Sequence, residues 1–253
     1  MTDLLAVTLG NTSVAAAAAH PDGALGEVSR EPLARLEAAL GPRLEAAEGP
    51  VLVCSVNPPA LERLRRTAVA AGFDPPQVAG EDFAIPVAAD VDEPARVGTD
   101  RLLAALAAHR RAEGPCLVVD VGTAVTVDAV DEAGTFLGGA IFPGPRLMAR
   151  SLADGTAQLP LVEMSGVEAG DRVIGKNTEA AVRIGVSRAL SGALGYILTA
   201  MLLELGVQGP VFLTGGDAPP AENEADLKGT RYVVVPDLVL EGLVLAWRER
   251  AAS

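Results

Sequence analysis

Three short glycine turns each follow an apolar run: Gly10-Asn11-Thr12, Gly122-Thr123 and Gly215-Gly216. Glycine lets backbone amides come close to a phosphate, and adjacent threonine or asparagine side chains add donors, so such turns can cradle a nucleotide. One turn alone is better explained by the needs of a hairpin. Asp100 stands behind a proline-broken segment, between Gly98-Thr99 and Arg101, where a carboxylate and a guanidinium can face a cleft from a helix start. There an aspartate can orient a substrate hydroxyl and take its proton during in-line phosphoryl transfer. The same spacing equally suits a carboxylate stabilised by the helix dipole, with Arg101 in a surface ion pair. Asp120 has apolar neighbours on both sides, at the end of a strand that reads as buried. A buried carboxylate without a cation or hydrogen-bond partners is costly, so a cation site explains it best; capping by the amides of the next turn is the alternative.

These residues need elements to hold them. Leu4 to Leu9 and Ser13 to Ala19 read as two strands around the first glycine turn, with a second turn at His20-Pro21-Asp22-Gly23. The spacing Leu33, Leu36, Leu40, Leu44 predicts a helix from Glu31 to Ala47, broken or kinked at Gly41-Pro42. Val51 to Val56 is a short strand, Pro59 to Ala71 a helix, and Asp74 to Val97 irregular chain with one short strand. A helix Leu102 to Arg111 follows. At Cys116 the pattern restarts: a strand to Val121, the turn Gly122-Thr123, an alternating strand through Val125, Val127 and Ala129, and a third strand from Phe136 to Phe142. A helix from about Arg146, a long helix Thr178 to Leu205, strands Val211 to Thr214 and Tyr232 to Val235, and a helix Leu238 to Arg250 complete the chain. Laying Val7 to Thr12 over Val119 to Ala124 gives a constant offset of 112, the mark of a duplication. The chain therefore divides into domains 1–113 and 114–253, each α/β with a mixed sheet, on either side of a hinged cleft.

The 253 residues are 49% hydrophobic, which excludes a disordered chain, and only 3% aromatic, which argues against base-stacking platforms. A net charge of −13 repels nucleic acid. Cys54 and Cys116 lie in apolar strands and form neither a disulfide framework nor a metal pair, as suits a cytoplasmic protein. The apolar runs Val14 to Ala19 and Ile197 to Leu205 are too short to span a bilayer, and Asp3 stands where a signal peptide is basic, so no membrane association is expected. His20 and His109 lack partners at ligand spacing and read as surface residues.

Two equivalent hairpins plus a Thr-Gly-Gly turn resemble the layout of actin-like sugar kinases and heat-shock ATPases. More specifically, the chain resembles the type III pantothenate kinases almost end to end. The matching pieces are Leu9-Gly10-Asn11-Thr12, Ser55-Val56-Asn57-Pro58, Pro94 to Arg101, Asp120 to Thr126, Gly138 to Gly144, Thr156 to Pro160, Gly175 to Thr178, Thr214 to Gly216 and Asp237 to Leu243. The resemblance implies duplicated actin-like (ribonuclease H-like) domains and transfer of the ATP γ-phosphoryl group to the 4′-hydroxyl of pantothenate, the entry step of coenzyme A synthesis. It implies Mg²⁺ with ATP, a monovalent cation (K⁺ or NH₄⁺), and a homodimer, for which the long helix is the expected contact. By position, Asp100 matches the catalytic base, and Gly98, Thr99 and Arg101 its substrate-binding neighbours. Thr178 matches a pantothenate contact and Asp120 the monovalent-cation ligand. Thr8, Gly10, Asn11, Thr12, Thr123, Gly215 and Gly216 match the nucleotide-binding positions.

Three positions depart from the family pattern. Thr8 replaces an aspartate expected to help hold the metal, Val91 replaces a tyrosine expected to wall the pantothenate pocket, and Val125 replaces a threonine expected near the nucleotide. A noncatalytic binding protein, like the related Bvg accessory factors, and a kinase with a changed acceptor are the competing readings. Intact Asp100, Arg101, Asp120 and Thr178 favour a pantothenate kinase.

Overall fold

The computed structural model describes residues 4–20, 22–164, 173–206, 209–218 and 232–250; Asp3 and Pro21, invoked above, lie outside them. Two compact units share the chain. The first takes residues up to Arg111, Gly134–Phe136 and the chain from Asp237; the second takes Ala112–Ala133 and Leu137–Pro236.

In the first unit, β1 (Leu4–Leu9) turns back at Gly10 into β2 (Ser13–Ala19), which pairs antiparallel with β3 (Ser29–Pro32). Helix α1 (Leu36–Glu45) leads to β4 (Val51–Ser55), parallel to β1, and α2 (Pro58–Ala70) leads to β5 (Gln77–Val78), parallel to β4. The sheet order is β3-β2-β1-β4-β5. Alternation along β1 splits the core into two layers. Leu5, Val7 and Leu9 face α1 and α2 through Leu36, Leu40, Leu44, Leu61 and Leu64. Ala6, with Leu52 and Cys54 of β4, faces α3 (Thr99–Ala112) and the closing helix α6 (Leu238–Glu249) through Leu103, Leu106, Leu240 and Leu243. Gly242 lets those two helices touch, since a Cβ there would lie 2.0 Å from the Leu103 carbonyl oxygen. The sequence division carried α6 with the second half; its packing is against β1, β2 and β4.

The second unit repeats the plan. β6 (Cys116–Val121) pairs antiparallel with β7 (Ala124–Val130) and parallel with β9 (Val211–Thr214), which is parallel to β10 (Tyr232–Val234). With β8 (Phe136–Pro143) beside β7, the order β8-β7-β6-β9-β10 reproduces that of the first sheet, element for element. Helix α4 (Pro145–Gly155) packs through Ala149 on Val182 and Val186 of α5 (Thr178–Leu205). Further along α5, Leu190 and Leu198 cover Val119, Val121, Val125 and Val127 of the sheet.

Several expectations need correction. α1 is not broken at Gly41-Pro42, because Leu36, Leu40 and Leu44 are all buried and their packing outweighs the one hydrogen bond a proline removes. Glu31 and Pro32 belong to the edge strand β3, and a single 3-10 turn, Leu33–Arg35, leads from it into α1. α3 begins at Thr99, three residues before the expected start, so Asp100 lies inside its first turn. α5, with 28 residues and a mean hydropathy of 1.4 over an 18-residue window, is long and apolar enough to cross a membrane by length and composition. The shorter run Ile197 to Leu205 did not show this. Only 22% of that window is buried, and α5 carries Arg183 and Arg188 and packs on the second sheet through Leu190 and Leu198.

Candidate active site

In the first unit the Gly10 turn is closed by its own amide, which donates to the Ser13 carbonyl at 3.0 Å. The β4–α2 junction braces it from the side. The Asn57 amide nitrogen Nδ2 donates to the Gly10 carbonyl at 3.3 Å, while Asn57 Oδ1 accepts from the Ala60 amide at 3.1 Å and caps α2. Ser55 Oγ accepts from the Asn57 amide at 3.2 Å and donates to its carbonyl at 3.1 Å. Asn57 was matched in sequence without a role; an asparagine before a proline at a helix start signals the cap, but nothing local signals the Gly10 contact. Asn11 and Thr12 are exposed at the tip.

Asp100 is half-buried. Its Oδ1 accepts from the Arg101 amide at 2.8 Å. Burial holds its proton affinity above the ordinary carboxylate value, against the opposing pull of that amide and of the Arg101 charge. The Arg101 guanidinium lies 5.1 Å from the centre of the Phe136 ring. Gly98 makes room for the carboxylate, since a Cβ at that position would lie 2.5 Å from Asp100 Oδ1. Thr99 Oγ1 meets Cys54 Sγ at 3.6 Å, and burial first, then the Asp100 charge, pushes the Cys54 thiol up to about 12. Cys54 is also the register partner of Thr8, whose other partner is Ala15. Thr8 therefore shares the sheet face of Ala6 and Cys54, the face that α3 covers, and the structure gathers Thr8, Gly98, Thr99, Asp100 and Arg101 within one unit. Val91 is half-buried near the same place, next to Asp90, whose amide donates to the Phe136 carbonyl.

In the second unit the Gly122 amide closes the equivalent turn, one residue shorter than that at Gly10, by donating to the Ala124 carbonyl at 3.0 Å. Asp120 occupies the position equivalent to Thr8, between Thr126 on β7 and Thr214 on β9. Gly215, at φ +100°, presses against it: a Cβ there would lie 2.3 Å from Asp120 Oδ1 and 2.4 Å from the Val121 carbonyl oxygen. Gly144 donates its amide to the Thr123 carbonyl at 2.9 Å, and the Asp217 amide donates to the Val121 carbonyl at 2.9 Å. Gly216 is exposed with no neighbour crowding it, and Thr178 is exposed on the first turn of α5, behind the Asn177 cap. Val125 is fully buried among Val121 and Val127, on the sheet face opposite Asp120, so a threonine there would place its hydroxyl in the core.

The two sheets thus carry equivalent polar rows of different chemistry. Thr126-Asp120-Thr214 supplies a carboxylate and two hydroxyls, oxygen donors that fit a hard cation. Ala15-Thr8-Cys54 supplies one hydroxyl and a thiol, which does not fit a divalent ion held by protein carboxylates. Among the described residues, no group of three or more His, Cys, Asp or Glu could hold a metal.

Comparison with known proteins gives matches in both sequence and fold. The type III pantothenate kinase family profile matches residues 4–200. A type III pantothenate kinase from Dehalococcoides mccartyi is 33% identical over 204 residues, 80% of this chain and 76% of its own. One from Rhodospirillum rubrum is 36% identical over 198 residues, 78% and 75% of the two chains. Among solved structures, a conserved putative Baf family transcriptional activator from Campylobacter jejuni superposes with a TM-score of 0.60 at 17% identity, covering 98% of this chain and all of its own. The activator of 2-hydroxyisocaproyl-CoA dehydratase from Clostridium difficile, with bound ADPNP, gives 0.55 at 12% identity, covering 99% and 96%. These likenesses establish the duplicated actin-like fold of ATPases and sugar kinases. The chain belongs to the type III pantothenate kinase family.

Proposed function

We propose that the protein transfers the γ-phosphoryl group of ATP to the 4′-hydroxyl of pantothenate, with each unit serving as one actin-like domain. The observation that carries this reading is the Asp100 carboxylate: half-buried on the first turn of α3, held by the Arg101 amide, with Gly98 clearing its space. Such a carboxylate accepts the proton of a bound hydroxyl as the oxygen attacks phosphorus, and its raised proton affinity suits that task. Arg101 and Thr99 orient the acceptor, and Thr178 contacts it. Within the first unit the Gly10 turn, with Asn11 and Thr12, and within the second the Gly122 turn, with Thr123, Gly215 and Gly216, each offer amides and hydroxyls to the phosphates of a nucleotide. Mg²⁺ enters with ATP and is held by its phosphates, because the Thr8 row offers no carboxylate, and Asp120 holds a monovalent cation. A homodimer contacting through α5 fits the exposure of Tyr196 and Leu203, each 78% exposed. A cytoplasmic location accords with two buried free cysteines.

The row Ala15-Thr8-Cys54 favours a second reading, a relative that binds nucleotide or pantothenate-like ligands with little turnover. A coupled ATPase assay at high ATP and potassium separates the two. Pantothenate-dependent ADP release supports the kinase; ATP binding without it supports the binding protein.

A further inference from the structure

Helix α4 starts on the second glycine turn, since the Gly144 amide donates to Thr123 and a Cβ at Gly144 would lie 2.0 Å from the Gly122 carbonyl oxygen. The third glycine turn is docked on the same strand end through the Asp217 amide and Val121, and closed by the Ala218 amide donating to the Gly215 carbonyl at 3.2 Å. One ion pair joins the two docked segments. Arg146, the second residue of α4, places Nη2 3.0 Å from Asp217 Oδ2. Asp217 is only 5% exposed, and the pair is out of hydrogen-bond alignment, so Oδ2 has no hydrogen-bond partner among the described residues. A nearly buried carboxylate held by charge alone is a poor source of stability. It does, however, fix where its two segments sit.

We propose that Arg146 and Asp217 are positioning residues for the nucleotide, clamping the Gly215-Gly216 turn and the start of α4 onto the Gly122-Thr123 turn. The inference rests on the proposed binding of ATP by these turns. Neither side chain needs to touch the phosphates: the pair holds the backbone amides and the glycine surface that do, and without it the third turn shifts relative to the second. The loss then falls on the nucleotide more than on the acceptor, whose proposed base and orienting residues belong to the first unit and only Thr178 to the second.

The test compares wild type with Arg146→Met, Asp217→Asn, Arg146→Lys and the double variant Arg146→Met/Asp217→Asn. ADPNP affinity is measured by calorimetry, and KM for ATP, KM for pantothenate and kcat by the coupled assay. Each single neutral substitution is expected to raise the ADPNP Kd and the ATP KM about tenfold, with kcat and the pantothenate KM within about twofold. The double variant is expected to match the single ones, because all remove one shared interaction, and Arg146→Lys to recover part of the affinity. Should a single variant fail to fold, the double variant, which leaves no unpaired buried charge, gives the same readout. A wild type that binds ADPNP alongside a folded double variant of unchanged Kd and ATP KM overturns the inference alone, as does a loss confined to kcat. A folded wild type that does not bind ADPNP overturns the nucleotide reading, and the inference with it.

Discussion

Substituting Gly98 with alanine probes the base without touching its chemistry. Gly98 has no left-handed backbone, so alanine meets no φ restriction, but its Cβ would lie 2.5 Å from Asp100 Oδ1. Ordinary contact begins at 3.4 Å, so the carboxylate must move by about 0.9 Å, on the scale of misplacement that costs ~100-fold in rate. The side chain can rotate, so the strain is relieved and the protein stays folded; what is lost is the alignment of the proton acceptor. In the coupled kinase assay, kcat is expected to fall about 100-fold, with ADPNP affinity within about twofold of wild type. Gly41→Ala, in α1 with no neighbour within 4 Å, is the control and should leave kcat unchanged. Turnover in Gly98→Ala within about threefold of wild type would refute the assignment of Asp100 as a positioned base.

Asp100→Asn keeps the shape and the Arg101 amide contact and removes the proton acceptor, so kcat should drop by roughly two to four orders of magnitude with ATP binding little changed. In wild type, kcat should fall on the acid side as Asp100 gains its proton, with that limb above the ordinary value of 3.8 because burial raises it; a pH profile is the check. Thr8→Asp brings a carboxylate beside Cys54 on the face of Asp100; with Mg²⁺ saturating, pantothenate phosphorylation should rise about tenfold, and a fall would show a loop adapted to threonine. Asn57→Ala removes the α2 cap and the brace on Gly10, and should cost about 1 kcal/mol in denaturant unfolding and weaken ADPNP binding. Arg63 holds the Glu37 carboxyl at about 2, below its usual 4.5, so the pair's contribution is present above 4.5 and is lost as pH falls toward 2. The Tm difference between wild type and Glu37→Gln should narrow over that window.

The duplication was legible because two glycine turns end matching apolar strands at a fixed offset, and strand pairing then has one economical solution. β3 was not, because Ser29-Arg30-Glu31-Pro32 is a polar edge strand whose place is set by β2 rather than by its own pattern. Pro42 misled for the complementary reason: tertiary burial of three leucines outweighed a local breaker. The side of the sheet on which Val125 falls was readable from the alternation Val125, Val127, Ala129, which sets it apart from Asp120 and Thr126. Motif matching named Gly98 to Arg101 and Asp120, but not the contacts that shape them. The Asn57 brace, the Cys54–Thr99 contact and the Arg146–Asp217 pair join residues far apart in sequence, and only the folded chain brings them into register.

The most direct measurement of the central claim is the product itself: purified protein with ATP, Mg²⁺, K⁺ and pantothenate, followed by mass spectrometry for 4′-phosphopantothenate. Wild type is expected to form phosphopantothenate in equal amount to ADP, and Asp100→Asn almost none. Folded protein that binds ADPNP and yields no phosphopantothenate, or equal product from wild type and Asp100→Asn, would contradict it.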